Sequence, residues 1–172
     1  MAEDGVLELP HFDDTVRTLD QVIDVDYYIP GCPPLPQLTL EAVQKILKGE
    51  LPPKGAVLAP AQALCQECER NASKPERLMI SDIKRVHEVI PDAKTCLLAQ
   101  GLLCLGPATR GGCGALCVQA NMPCTGCFGP LEPIRDFGGK ALSLVASIVD
   151  STDEKVLREC FAKIPDPAGT FY

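Results

Sequence analysis

The stretch from Cys96 to Cys127, CLLAQGLLCLGPATRGGCGALCVQANMPCTGC, holds six of the chain's ten cysteines. Two more, Cys65 and Cys68, form a C-x-x-C pair upstream. So dense a run of soft donors constrains the backbone by what the donors hold, because a thiolate is a metal ligand before it is a packing group. Eight thiolates are the donor complement of two four-iron clusters. Gly106, Gly111, Gly112, Gly114, Gly126, Pro107 and Pro123 lie between the cysteines. They suit a backbone that wraps a compact ion and aims N–H groups at sulfur.

The rest of the composition agrees with a chain held by something other than apolar burial. Hydrophobic residues make up 46%, but aromatics only 5%, Trp is absent, and there are 14 glycines and 16 prolines. The expected core is thin, with long irregular stretches that bound metal would support, since a ligand bound only by the folded state contributes folding free energy. The net charge is −7 and no basic run exists, so nucleic acid and anionic membrane are not expected partners. No apolar stretch approaches the roughly 20 residues of a membrane helix. The opening MAEDGVLELP is acidic and unlike a secretory signal. A cytoplasmic location is expected, and there disulfides give way to metal binding.

Along the chain, Gln21–Ile29 (QVIDVDYYI) reads as a strand that runs into Pro30-Gly31-Cys32-Pro33-Pro34, displaying Cys32 on a rigid loop. Thr39 is the expected N-cap of a short helix with Leu40, Val43, Ile46 and Leu47 on its packed face and Gly49 at its end. A boundary is expected near residues 52–60. Met79, Ile83 and Val86 suggest a weak helical face, and His87 reads as a surface residue. Residues 138–150 predict a helix with Leu142, Val145, Ala146 and Val149 inward. Ser151 to Glu154 has the form of a capping box for a last helix, with Val156, Leu157, Cys160 and Phe161 on one face and Cys160 in the core. The DPAGTFY tail reads as a turn-rich terminus whose aromatic end is free to dock.

Three chemistries fit the cysteines. A disulfide scaffold needs an oxidising compartment that nothing here indicates. Structural zinc fits the pairs Cys65-x-x-Cys68 and Cys124-x-x-Cys127, but leaves Cys96, Cys104, Cys113 and Cys117 without a role unless a second ion is bound. Iron–sulfur is favoured, although the ferredoxin run C-x2-C-x2-C-x3-C-P is absent.

Several longer motifs narrow this. Tyr28-Ile29-Pro30-Gly31-Cys32-Pro33-Pro34, the C-x-x-C at 65–68, Cys96-Leu97-Leu98, Cys104-Leu105-Gly106-Pro107 and Met122-Pro123-Cys124-Thr125-Gly126-Cys127 resemble the small, electron-transferring subunit of nickel–iron hydrogenases. The likeness is nearest to the cytoplasmic F420-non-reducing (methyl-viologen-reducing) type found with heterodisulfide reductase. It runs from about residue 21 to the tail. The resemblance implies an α+β chain with much irregular loop: residues 1–58 as the C-terminal part of a flavodoxin-like domain, then residues 59–172 as an iron–sulfur domain with two [4Fe-4S] clusters. It implies a distal cluster on Cys65, Cys68, Cys96 and Cys104, and a medial one on Cys113, Cys117, Cys124 and Cys127. Cys32 matches one ligand of a proximal cluster whose other ligands belong to an upstream half absent from this sequence.

In many relatives a histidine stands where this chain has Cys65, and many uptake enzymes have proline at Cys117 and keep only a three-iron medial cluster. The implied role is an electron relay, not catalytic alone, between a nickel–iron large subunit and an iron–sulfur or flavin acceptor of the heterodisulfide-reductase or ferredoxin kind. The same ligands would serve a nickel-free, complex-I-like or formate-linked oxidoreductase, and a zinc-stabilised interaction module is the rival of a different class.

Overall fold

The computed structural model describes residues 11–132, 134–164 and 166–171. Its first part is one β–α–β unit. Strand β1 (Tyr27–Tyr28) pairs in parallel with β2 (Ala56–Val57), with Tyr27 opposite Ala56 and Tyr28 opposite Val57, and helix α1 (Pro36–Lys48) crosses between them. The strand expected over Gln21–Ile29 is thus cut to two residues. A strand exists only where a neighbour takes up its ladder bonds, and β2 offers a two-residue partner. Leu19–Gln21 winds instead into a single 3-10 turn closed by the Thr18 and Gln21 side chains.

Helix α1 starts three residues before the expected Thr39. Leu35 is the N-cap and Pro36 occupies the first helical position, where its missing N–H costs nothing. The Thr39 hydroxyl donates back to the Leu35 carbonyl at 3.2 Å inside the helix. The end falls at Gly49, whose φ of 69° lets its N–H reach the Ile46 and Lys45 carbonyls. The packed face also differs from expectation. Leu38 and Ala42 are buried, while Leu40, Val43, Ile46 and Leu47 face outward, Leu47 at 81% exposure.

From residue 58 onward the described residues form loops, 3-10 turns and four helices around one core. The core contains Leu64, Ile80, Ile83, Leu97, Leu98, Leu102, Leu105, Val118, Ala141, Val145, Ile148 and Phe171. No helix forms over Met79–Val86. Ile80 instead gives its N–H to Ile148 and accepts from Asp150, both at 2.8 Å, so its backbone bonds are spent on a distant segment. His87 is exposed as expected.

Helix α2 is Leu116–Gln119 and α3 is Phe137–Ile148, the latter capped by Asp136 accepting the Gly139 N–H at 2.8 Å. The inward stripe of α3 is Gly138, Ala141, Val145 and Ile148; of the expected face Val145 and Val149 are buried, while Leu142 and Ala146 are exposed.

Helix α4 (Glu154–Phe161) is capped by Asp153 and not by Ser151: the Asp153 carboxylate accepts the Lys155 N–H at 2.8 Å, and the Ser151 hydroxyl accepts the Asp153 N–H at 3.1 Å. Cys160 is buried in the core. The tail is helical as well. Helix α5 (Pro167–Phe171) packs on α3 and buries Phe171, so the aromatic end docks on its own chain. Tyr172 lies outside the described residues. No described helix is long and apolar enough to cross a membrane.

Candidate metal centres

All ten cysteines are free thiols. Eight of them line two adjoining cavities. Cys65, Cys68, Cys96 and Cys104 line the first, among Leu64, Leu97, Leu98, Pro107 and Val118. Cys113, Cys117, Cys124 and Cys127 line the second, with Thr109, Ala115, Leu116 and Phe128. Cys32 also reaches the second cavity, from the loop after β1.

Local structure explains how each thiol is presented. Cys65 sits in the 3-10 turn Leu64–Gln66, and Cys68 caps the next turn, Glu69–Ser73. The Ser73 hydroxyl donates to the Arg70 carbonyl and accepts the Cys96 N–H, both at 2.7 Å, which ties Cys96 to the C-x-x-C segment. Arg70, only 5% exposed, donates to the Asp92 carbonyl (3.1 Å), the Val118 carbonyl (2.9 Å) and Asn121 Oδ1 (2.9 Å). One guanidinium thus holds three segments round the first cavity, using the fork of donors that lysine lacks. Gly106 faces the same space: a Cβ there would stand 3.5 Å from Cys65 Sγ and 3.6 Å from Cys104 Sγ.

In the second cavity, Cys113 precedes α2 and Cys117 lies within it. Arg110, fully buried, donates to the Pro60 and Pro130 carbonyls at 3.3 Å and pairs with Glu132 at 3.1 Å. This closes the back of the Phe128–Pro130 loop that follows Cys127.

The two cavities meet at Cys104 and Cys124. The Cys124 N–H donates to Cys104 Sγ at 3.4 Å, and the Leu105 N–H donates to the Cys124 carbonyl at 2.9 Å. The Gly126 N–H donates to Cys124 Sγ at 3.4 Å, one of the bonds expected of the glycine turns. Around Cys113 the expectation needs correcting. The Gly112 and Cys113 N–H groups go to the Glu67 carboxylate, at 2.9 and 3.1 Å, and not to sulfur. Glu67, Arg70 and Arg110 are close neighbours of the two thiol sets that sequence reasoning does not find. The one signal for Glu67 is its place inside C-x-x-C as the single acid between two thiols; nothing local marks the arginines.

Four of the thiols are poorly hydrated. Burial pushes Cys65 and Cys124 up to about 11, the first partly offset by Lys74 and the second by the Gly126 N–H. Burial also raises Cys104 and Cys113. Buried thiolates need a cation to offset their charge, so the donor chemistry suits a cationic inorganic core. Among the described residues no three His, Cys, Asp or Glu side chains converge closely enough to hold a single ion. A four-iron cluster takes four thiolates, and four thiols among apolar walls in each cavity match that donor set.

No protein-family model matches the chain. Individual proteins do. The chain is 46% identical, over 161 residues and 92% of its length, to the iron-sulfur subunit of the F420-non-reducing hydrogenase of Archaeoglobus profundus, covering 50% of that protein. It is 40% identical over 99% of its length to an F420-non-reducing hydrogenase subunit of Methanothermobacter marburgensis, covering 55% of that protein. With an F420-non-reducing hydrogenase subunit of Methanothermus fervidus it shares 41% identity over 110 residues, 62% of this chain and 86% of that protein. The chain belongs to this family of F420-non-reducing hydrogenase subunits. It spans about half the length of the first two of these relatives.

Proposed function

We propose that this chain is the electron-relay part of a cytoplasmic nickel–iron hydrogenase complex, carrying a [4Fe-4S] cluster in each cavity. The observation that supports it most is the sorting of eight thiols, in chain order, into two adjoining cavities. The clusters, when bound, supply one-electron chemistry; the chain's residues supply position, dryness and N–H bonds to sulfur. Cys65, Cys68, Cys96 and Cys104 hold the first cluster, and Cys113, Cys117, Cys124 and Cys127 the second.

Cys32 approaches the second cavity and not the first, which suits an order of proximal, medial, distal. In this reading residues 11–58 are the end of a flavodoxin-like domain. The hydrogen bond from Cys124 to Cys104 links the two ligand sets directly. The chain itself binds no hydrogen. Electrons arrive from a large subunit that oxidises hydrogen and leave to an iron–sulfur or flavin partner.

Anaerobic reconstitution tests this. The loaded chain should hold about eight irons and eight acid-labile sulfides. Cys117→Pro should convert one electron paramagnetic resonance signal to a three-iron type and leave the other intact. An unchanged spectrum would break the ligand assignment, and one or two zinc ions in place of iron would break the reading itself.

A further inference from the structure

Glu67 separates Cys65 from Cys68, whose thiols face the first cavity. Its own side chain turns the other way. Both carboxylate oxygens accept the Gly112 N–H at 2.9 Å, Oε1 accepts the Cys113 N–H at 3.1 Å, and Oε1 stands 3.7 Å from Cys113 Sγ. The arrangement is built into the backbone. Ala63 and Arg110 form an antiparallel bridge, the Leu64 N–H reaches the Thr109 carbonyl at 2.9 Å, and the Gly111 N–H reaches the Gln62 carbonyl at 2.7 Å. At Gly111 a Cβ would stand 3.3 Å from Glu67 Cδ and Oε2, so the missing side chain is what lets the carboxylate lie there.

We propose that Glu67 is a positioning residue that acts across the two sets: it clamps the Cys113 turn from the C-x-x-C loop and lowers the reduction potential of the second cluster alone. This rests on the iron–sulfur reading above. The clamp uses two amides that would otherwise be free to point at sulfur, and it substitutes a carboxylate for them near that sulfur. A negative group beside a thiolate ligand makes each added electron less welcome, while N–H bonds to sulfur do the reverse. Glu67 therefore acts on the second cluster in both ways at once. The first cluster feels little of it, because the carboxylate is directed away from Cys65 and Cys68. Within the second set the pairing distinguishes two ligands: the Gly126 N–H reaches Cys124 Sγ, whereas the Gly112 and Cys113 N–H groups go to the Glu67 carboxylate.

The test is a redox titration of the iron-loaded full chain, followed by electron paramagnetic resonance. Glu67→Gln is expected to raise the midpoint of the second signal and leave the first in place. Glu67→Asp, which keeps the charge, is expected to return the second midpoint toward the parent value. Gly111→Ala, which keeps the acid but pushes it off Cys113, should shift the same midpoint upward by less. Loss of the second signal in Glu67→Gln with its retention in Glu67→Asp also supports the role. No shift in Glu67→Gln, an equal shift of both signals, or loss of the second signal in both Glu67 variants overturns it. Failure of the unaltered chain to load iron would instead break the functional reading, so the two failures are distinct.

Discussion

The two cavities use the same four donors but differ in what encloses them. The first is walled by Leu97 and Leu98, both buried, with Leu64 and Val118 shared between the two cavities, and none of its four thiols is exposed. The second has buried Cys124 and half-buried Cys113 at its base, but Cys117, Cys127 and the neighbouring Cys32 are exposed, beside Leu116 at 51% exposure. The first cavity is closed by its own chain. The second is closed on one side only, and its open side carries apolar residues and the loop after β1. Burial at the first cavity keeps water off the ligands; exposure at the second leaves that task to whatever covers it.

The sharpest way to break this comparison is to remove the arginine on one side. Arg70→Ala deletes a buried guanidinium and removes its three bonds, to the Asp92 and Val118 carbonyls and Asn121 Oδ1. A loss of about 3 kcal/mol is expected, read by denaturant unfolding of the loaded chain, with the first cluster's signal weakened more than the second's. An equal loss of both signals would mean the cavities are not separately supported.

A smaller effect is expected from chelation. Under an iron chelator the second signal should fade before the first, because Cys117 and Cys127 are open to solvent. The opposite order, followed by the two signals over time, would contradict the enclosure argument.

The smallest effect concerns pH without metal. Cys65 and Cys124 titrate at about 11 in the fold, against an ordinary value of 9.0, so the folded chain holds more protons than the unfolded one between these values. Their contribution to stability is full below pH 9.0 and is lost as pH rises through about 11. Thermal unfolding of the metal-free chain should therefore weaken over that window. In the loaded chain the thiolates are already deprotonated, and the trend should flatten.

Much of the secondary structure is legible in the sequence only as tendency. Gly49 is readable as a helix end because left-handed φ is cheap for glycine alone, and Cys160 as core because an apolar helical stripe contains it. The inward face of α1 is not, and that of α3 only at Val145 and Val149, since both helices carry apolar residues on more than one side and neighbours decide which side is covered. The strand expected over residues 21–29 comes out too long because β-branched residues favour an extended chain but cannot supply the partner's donors and acceptors. The tail hides its helix for a similar reason: Asp166 caps α5 by accepting the Gly169 N–H at 3.0 Å, but only the core offers Phe171 a place.

The amino-acid sequence alone determined that soft donors dominate this chain, that glycine turns lie among them, and that its motifs are those of a hydrogenase small subunit. These are properties of residue type and spacing, carried by the covalent chain. The tertiary structure decided which thiols share a cavity, that Arg70 and Arg110 would be the buried struts behind them, and that Glu67 would turn from one set to the other. Those outcomes depend on backbone carbonyls and amides from segments far apart in sequence, and such groups have no one-dimensional signature until folding brings them within hydrogen-bond reach.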